Sequence, residues 1–385
     1  MGAPIKDPFG CSHSESTTML ITLSVTLFAL LVALHFGTIA MTLWRYLVPP
    51  RRTPRGQPFL SLIRPVCGAD PIERETLGSS FALDYPQYEL IFCAPHESDP
   101  SVALIKELMA QHPARPARLL IGETALTGNP KLNNLFKGVE AARSPWLVMT
   151  DSNLLLPLSY LDDLLDCWTS GVGLVSGPPV GSRPESFWAA VEAAFLNTNQ
   201  ARWQLAVDSL GFGFAQGKTL FWRRDLLEQT GGLVALGREL AEDVASTKAV
   251  RAQGFRVRLP RKLFAQPLGK RERNPVWHRQ LRWSRLRLEG FPIFFVLELF
   301  QGALPPLLLL SAFVSMGLAP LWTLPVLGGL WFGAEWLLAR LAGWPSGPRD
   351  LAAMVVRDTL FPLLWFSTWR SPTIHWRGHR VEAID

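Results

Sequence analysis

The chain has 385 residues, 48% hydrophobic and 18% charged, with a net charge of +6. That length fits one large domain or two small ones. The apolar residues collect at the two ends, which excludes a wholly soluble protein and describes a soluble middle between membrane segments.

From Met19 to Leu43 there is no Asp, Glu, Lys or Arg, and about 20 apolar residues suffice to cross a hydrocarbon core of about 30 Å. A cleaved signal peptide is the competing reading, but the run is longer than the usual apolar stretch of about 7–15 residues and has acids before it. Arg45, Arg51, Arg52 and Arg55 follow it, whereas Lys6 is outweighed by Asp7 and Glu15 on the other side. The positive-inside rule therefore predicts an outside N-terminus and a cytoplasmic middle. In a reducing compartment Cys67, Cys93 and Cys167 stay unpaired, and these three with Cys11 lack metal-ligand spacing and read as packing residues.

Between 55 and 270, short β-rich runs alternate with helical ones. Phe59–Val66, Tyr88–Ala94, Arg118–Gly122 and Trp146–Thr150 read as strands; Ser101–Gln111 and Lys131–Ala142 read as helices between them. This βαβ rhythm predicts a parallel sheet, whose ligands gather beyond the carboxyl ends of the strands. Asp99 and Asp151 each follow a strand by a few residues. Either also suits a helix cap or turn, since Asp-Pro and Asp-Ser-Asn are common there, and Asp70 competes with Asp99 as the first acid. Glu242-Asp243 lies in a helical region expected over Leu233–Gly254, where adjacent acids are usually solvated.

Twelve Lys and Arg residues crowd positions 251–287. Nucleic acid is the usual partner of such a run, but this one leads into apolar Phe291–Leu299, so anionic headgroups and a diphosphate explain it better. Within it, Arg279, Arg282 and Trp283 fall at i, i+3 and i+4, which on a helix places two guanidinium groups and an indole on one face, suited to gripping phosphate.

Taken together, Gly68-Ala69-Asp70-Pro71, Leu83-Asp84-Tyr85-Pro86-Gln87-Tyr88-Glu89, Asn129-Pro130-Lys131-Leu132-Asn133-Asn134-Leu135, Asp151-Ser152, Gly173-Leu174-Val175-Ser176-Gly177, Ala241-Glu242-Asp243 and Arg279-Gln280-Leu281-Arg282-Trp283 resemble the ceramide glucosyltransferase family over about residues 57 to 290. These relatives carry a D, D, D, (Q/R)xxRW signature. The resemblance implies an α/β GT-A fold and inverting transfer from a UDP-sugar to a membrane lipid. It implies Asp99 near the uridine, Asp151 at the diphosphate and a divalent cation (Mg2+ or Mn2+), Asp243 as general base, Lys131 on the donor, and Arg279, Arg282 and Trp283 as the closing motif. Inversion needs one base at the acceptor hydroxyl, and the departing diphosphate needs positive charge rather than a proton. Asn153 stands where broader relatives often have a second Asp, so the cation is expected to rest mainly on the diphosphate. The segment Phe195–Trp203, on the acceptor side in this family, matches only loosely.

Toward the C-terminus, Leu299–Leu318 and Leu321–Leu338 read as a helical hairpin with Glu335 near the interface. Leu351–Trp369 contains Arg357 and Asp358 and has basic flanks, Arg340 and Arg349 before it and Arg370, Arg377 and Arg380 after it, which favours a re-entrant or interfacial segment. The expected organisation is a tail at 1–18, a transmembrane anchor at 19–43, a cytoplasmic GT-A domain at 55–290, an interfacial helix and membrane segments at 291–370, and a basic cytoplasmic tail at 371–385. The leading expectation is glucose transfer from UDP-glucose to ceramide at a bilayer, with no nucleic-acid partner. A hopanoid glycosyltransferase using UDP-N-acetylglucosamine is the nearest rival, followed by a processive polysaccharide synthase and a non-catalytic sugar-nucleotide-binding scaffold. Abundant Arg, Ala and Leu lean toward a bacterial inner membrane.

Overall fold

The computed structural model describes residues 10–48, 56–68, 70–239, 241–370, 374–376 and 379–381. Lys6, Asp7, Arg51, Arg52, Arg55 and Arg377, which entered the topology argument, lie outside the described residues. So do the tail of residues 1–9 and most of 371–385.

The middle of the chain is a mixed α/β layer. Strands β1 (Leu60–Pro65), β2 (Tyr88–Ala94), β3 (Ala117–Ile121), β4 (Trp146–Thr150), β5 (Val172–Ser176), β6 (Pro179–Pro184), β7 (Thr219–Arg223), β8 (Arg256–Arg258) and β9 (Phe264–Gly269) follow in chain order. Seven form one sheet in the order β3-β2-β1-β4-β7-β5-β8, and β6 pairs with β9 apart from it. β1 to β4 run parallel, as the alternation predicts, whereas β7 lies antiparallel to both β4 and β5. Side chains alternate across the strands: Leu62, Leu90 and Val148 enter the core on one face, and Ile63, Ile91, Leu147 and Met149 enter the core on the other. With helices on both faces, continuous apolar runs are what such strands need.

The four strands and two helices expected up to residue 150 are present with ends shifted by one residue at most. The helix expected over 233–254 is instead two, Gly232–Leu236 and Glu242–Ala252. The chain turns between them at Gly237, pressed so closely on Thr127 that an added Cβ would lie 2.3 Å from its Cγ2. Cys93 is a buried packing residue, as read, but Cys67 is exposed.

The expected anchor lies within one helix, Gly10–Leu47. The hairpin is built from Leu304–Ser315 and Thr323–Ala342, followed by a continuous helix Pro348–Arg370. By length and composition, two helices among the described residues could cross a membrane, 15–47 and 348–370. There are three if the bent pair 292–300 and 304–315, turned by 44°, counts as one. The last helix is continuous and by length and composition a candidate crossing, and its Arg357 and Asp358 are paired. The Arg357 guanidinium donates to Asp358 Oδ1 at 2.6 Å, to Glu335 Oε2 at 2.8 Å and to the Ala194 carbonyl at 3.2 Å. Glu335 is fully buried inside the protein, with Arg202 at 3.5 Å on its other oxygen. His35 of the anchor accepts from Arg202 at 2.9 Å and stacks on Trp331. One charged cluster thus joins the anchor, the hairpin, the last helix and the soluble layer.

Removing one partner of such a cluster leaves an uncompensated buried charge. Arg357→Ala should cost about 3–5 kcal/mol, measured as a drop in the unfolding midpoint of the detergent-solubilised protein. An unchanged midpoint would show that the cluster carries no stability.

Candidate functional site

The site forms where β4 ends. Because β7 runs antiparallel with Thr219 opposite Thr150, the residue before β7, Lys218, lies beside the residue after β4, Asp151. The Asp151 amide donates to the Lys218 carbonyl at 3.0 Å, and the Lys218 ammonium reaches Asp151 Oδ2 at 3.1 Å and Asn153 Oδ1 at 2.9 Å. Arg64 of β1, fully buried, fixes the turn from below by donating to the carbonyls of Asp151, Ser152 and Leu154 at 2.8, 3.0 and 2.9 Å.

Helix Pro130–Ala141 delivers Lys131 to the other oxygen of Asp151. Asn129 caps this helix through the amides of Lys131 and Leu132, and Pro130 at the first turn costs no hydrogen bond there. The Lys131 ammonium lies 2.8 Å from Asp151 Oδ1 and 2.8 Å from Glu242 Oε1, and also donates to the Gly217 carbonyl. Asn129 donates to Glu242 Oε2 at 3.1 Å. Burial alone would raise the Asp151 carboxyl, but Lys131 and Lys218 override it and hold it down at about 2.

Asp243 follows Glu242 in the first turn of its helix and accepts from the Gly217 amide at 3.1 Å and the Val244 amide at 2.8 Å. Burial and the adjacent Glu242 carboxylate push it up to about 6, against the pull of those amides and Lys131. A carboxylate so tuned is suited to taking a proton near neutral pH.

Asp99 is placed differently. It caps helix Pro100–Gln111 through the Ser101 amide at 3.0 Å and accepts from the Gly68 amide at 2.8 Å, tying the ends of β1 and β2 together. Arg279, Arg282 and Trp283 lie on helix Arg273–Gly290, as the spacing predicted. Arg279 pairs with Glu192, which is wholly buried, Trp283 packs on Ala189, Ala193, Leu196 and Leu268, and Arg282 is half-buried between them in sequence. The far end of this helix returns to the acids, since Gly290 packs against Val244, the neighbour of Asp243.

Lys218 and Glu192 were not singled out from the sequence as site residues, and Glu242 was named only as the neighbour of Asp243. A lone acid in the alanine-rich run Phe187–Phe195 was the available signal for Glu192. Lys218, one of many basic residues, had none without the β4–β7 register.

As for a metal, no group of three or more His, Cys, Asp or Glu that could hold one gathers among the described residues, and both oxygens of Asp151 face lysines. This donor set does not make an all-protein cage; it fits an ion held through one carboxylate and the substrate's own phosphates, a common arrangement for Mg2+.

The model for glycosyl transferase family 21 matches residues 25–384. Two curated relatives from Caenorhabditis elegans are similar along most of the chain. Ceramide glucosyltransferase 3 is 26% identical over 84% of this chain and 72% of its own length. Ceramide glucosyltransferase 1 is 25% identical over the same shares. Among solved structures, a mannosyltransferase from Pyrobaculum calidifontis in complex with GDP-Man and Mn2+ is 20% identical, covering 89% of this chain and 95% of that one with a TM-score of 0.48.

A Cβ on Gly217 would come within 2.5 Å of Glu242 Oε1 and 3.3 Å of the Lys131 ammonium, and Glu242 cannot retreat without releasing Lys131 and Asn129. Gly217→Ala should therefore cost about 1–3 kcal/mol, the usual range for overpacking. Gly128→Ala, whose Cβ meets nothing within 4 Å, serves as the control. Equal melting midpoints for the two variants would refute the crowding.

Proposed function

The chain belongs to glycosyl transferase family 21, and we propose that this hexosyltransferase moves glucose from UDP-glucose to ceramide with inversion, giving β-glucosylceramide. The observation that carries the donor and acceptor is the similarity to ceramide glucosyltransferases across 84% of the chain. The arrangement around Lys131 supports the same chemistry, because it sets cations and one proton acceptor at the end of a parallel sheet.

In this reading Asp243 takes the proton of the acceptor hydroxyl as that oxygen attacks the anomeric carbon, and the bond from that carbon to the UDP oxygen breaks with its electron pair staying on the diphosphate. Lys131, Lys218, Arg279 and Arg282 oppose the charge that builds there. Trp283 seats the helix that carries both arginines. Asp99, by holding Gly68 between the ends of β1 and β2, shapes the uridine side. Asp151 would hold a divalent cation, Mg2+ or Mn2+, and when bound that cation supplies further positive charge to the diphosphate.

The acceptor is drawn from the bilayer. The short helix Pro292–Leu297 directly follows the arginine-bearing helix and exposes Ile293, Phe294, Val296 and Leu297, a composition suited to lying in the headgroup plane. The soluble layer, 55–290, then stands on the cytoplasmic face with the anchor and the C-terminal helices in or on the membrane.

Purified protein given UDP-glucose and ceramide should yield a hexosylceramide detectable by mass spectrometry of extracted lipid. Product only with UDP-N-acetylglucosamine and a hopanoid would replace the acceptor reading, and no glycolipid from any UDP-sugar by folded protein would sink the enzymatic one. Asp243→Asn should keep UDP affinity and lose transfer. In the unmodified protein, kcat/KM should fall as the pH drops through about 6, since a protonated Asp243 cannot accept a proton; a flat profile between pH 5 and 7, a range of about one unit either side, would remove it as the base.

A further inference from the structure

Glu192 has no part in the proton or phosphate chemistry above, yet it is the most deeply buried acid near it. It lies on helix Phe187–Ala194 with none of its surface exposed. One carboxylate oxygen takes the Arg279 guanidinium. The other, Oε2, stands 3.9 Å from Arg271 Nε and has no hydrogen-bond partner among the described residues. Arg271 in turn faces Asp70 at 3.8 Å. A buried carboxylate with an unsatisfied oxygen is expensive, and a methionine of similar volume would fill the space without that cost. Packing therefore does not account for it.

Its neighbours show what it does. Arg279 is a quarter exposed, while Glu192 is sealed beneath it. A guanidinium has five N–H donors in a rigid plane, so anchoring one edge on Glu192 leaves the remaining donors free to face outward in a fixed direction. The helix bearing Glu192 is itself clamped, because Arg357 holds the carbonyl of Ala194, two residues on.

We propose that Glu192 is the positioning residue for Arg279: it presets the guanidinium toward the donor diphosphate, so that donor binding does not have to order that side chain. This rests on the reading of Arg279 as a diphosphate ligand. Ordering a flexible arginine costs side-chain entropy, and a preset one transfers that cost from binding to folding.

The test is a double-mutant cycle on the full-length protein in detergent, with UDP affinity measured by calorimetry in a fixed buffer. Glu192→Gln should weaken UDP binding by about tenfold, the scale of one hydrogen bond to a charged group. Arg279→Ala should weaken it at least as much, and adding Glu192→Gln to Arg279→Ala should cost nothing more, since the first acts only through the second. Glu192→Asp keeps the charge but is one methylene shorter. It should bind UDP with intermediate affinity, and it stands in for the Gln variant in the same cycle if that variant does not fold. Arg279→Ala with wild-type UDP affinity would remove the reading of Arg279 and this role with it. A weakened Arg279→Ala beside an unchanged Glu192 variant would overturn the role of Glu192 alone, as would losses that simply add.

Discussion

The pairing of β7 against β4 is the contact on which the site depends. Antiparallel register sets Thr219 opposite Thr150, and from that one alignment Lys218 falls beside Asp151 while Gly217 falls beside Glu242 and Asp243. A slip of one residue would turn every side chain of β7 to the opposite face, taking Phe221 out of one core and Leu220 and Trp222 out of the other. The hydrophobic layers thus enforce the polar geometry. The charges balance only because of this alignment: Lys131 and Lys218 neutralise Asp151, Lys131 also meets Glu242, and Asp243, less well compensated, is the carboxyl left with a raised pKa.

A second feature connects the apolar N- and C-terminal helices to that site. The run from Phe187 to Ser209 is helical throughout, with a widened π turn over Phe195–Ala201 between two α-helical parts. Such turns are uncommon and concentrate at functional sites. Glu192 at one end meets Arg279, Ala194 and Thr198 meet Arg357, and Arg202 meets Glu335 and His35. The segment whose sequence matched its relatives most loosely is the one from which the C-terminal helices hang. Asn197 exchanges two hydrogen bonds with Gly181, and Asn199 donates to Gln301, so its polar residues satisfy backbone and side-chain groups at this junction.

Much of this was legible in the residues alone. The composition and length of short β-rich runs marked β2 and β4 to the residue, because those signals are local. The first long helix was legible for the same reason: an uninterrupted apolar stretch has few structural alternatives. Asp151 and Asp243, singled out through their order and spacing, lie together beside Lys131 and Gly217, and Arg279 lies against Glu192. Asp99 was legible as a cap, and a cap of helix Pro100–Gln111 is what its oxygens form. In the last helix, charge content alone counted Arg357 and Asp358 as obstacles, whereas each is the other's partner and Glu335 is a third.

By itself, then, the sequence determined the α/β rhythm, the apolar ends and the acids at the strand ends, since periodicity, length and turn chemistry act within a few residues. Only the tertiary structure decided which way β7 runs, that Lys218 stands at Asp151, that Glu192 holds Arg279, and that Glu335 is sealed in an ionic cluster. Those outcomes depend on groups from 22 to 133 residues apart. Burial sets the cost of each charge, and a local pattern does not record which opposite charge the fold will bring to it.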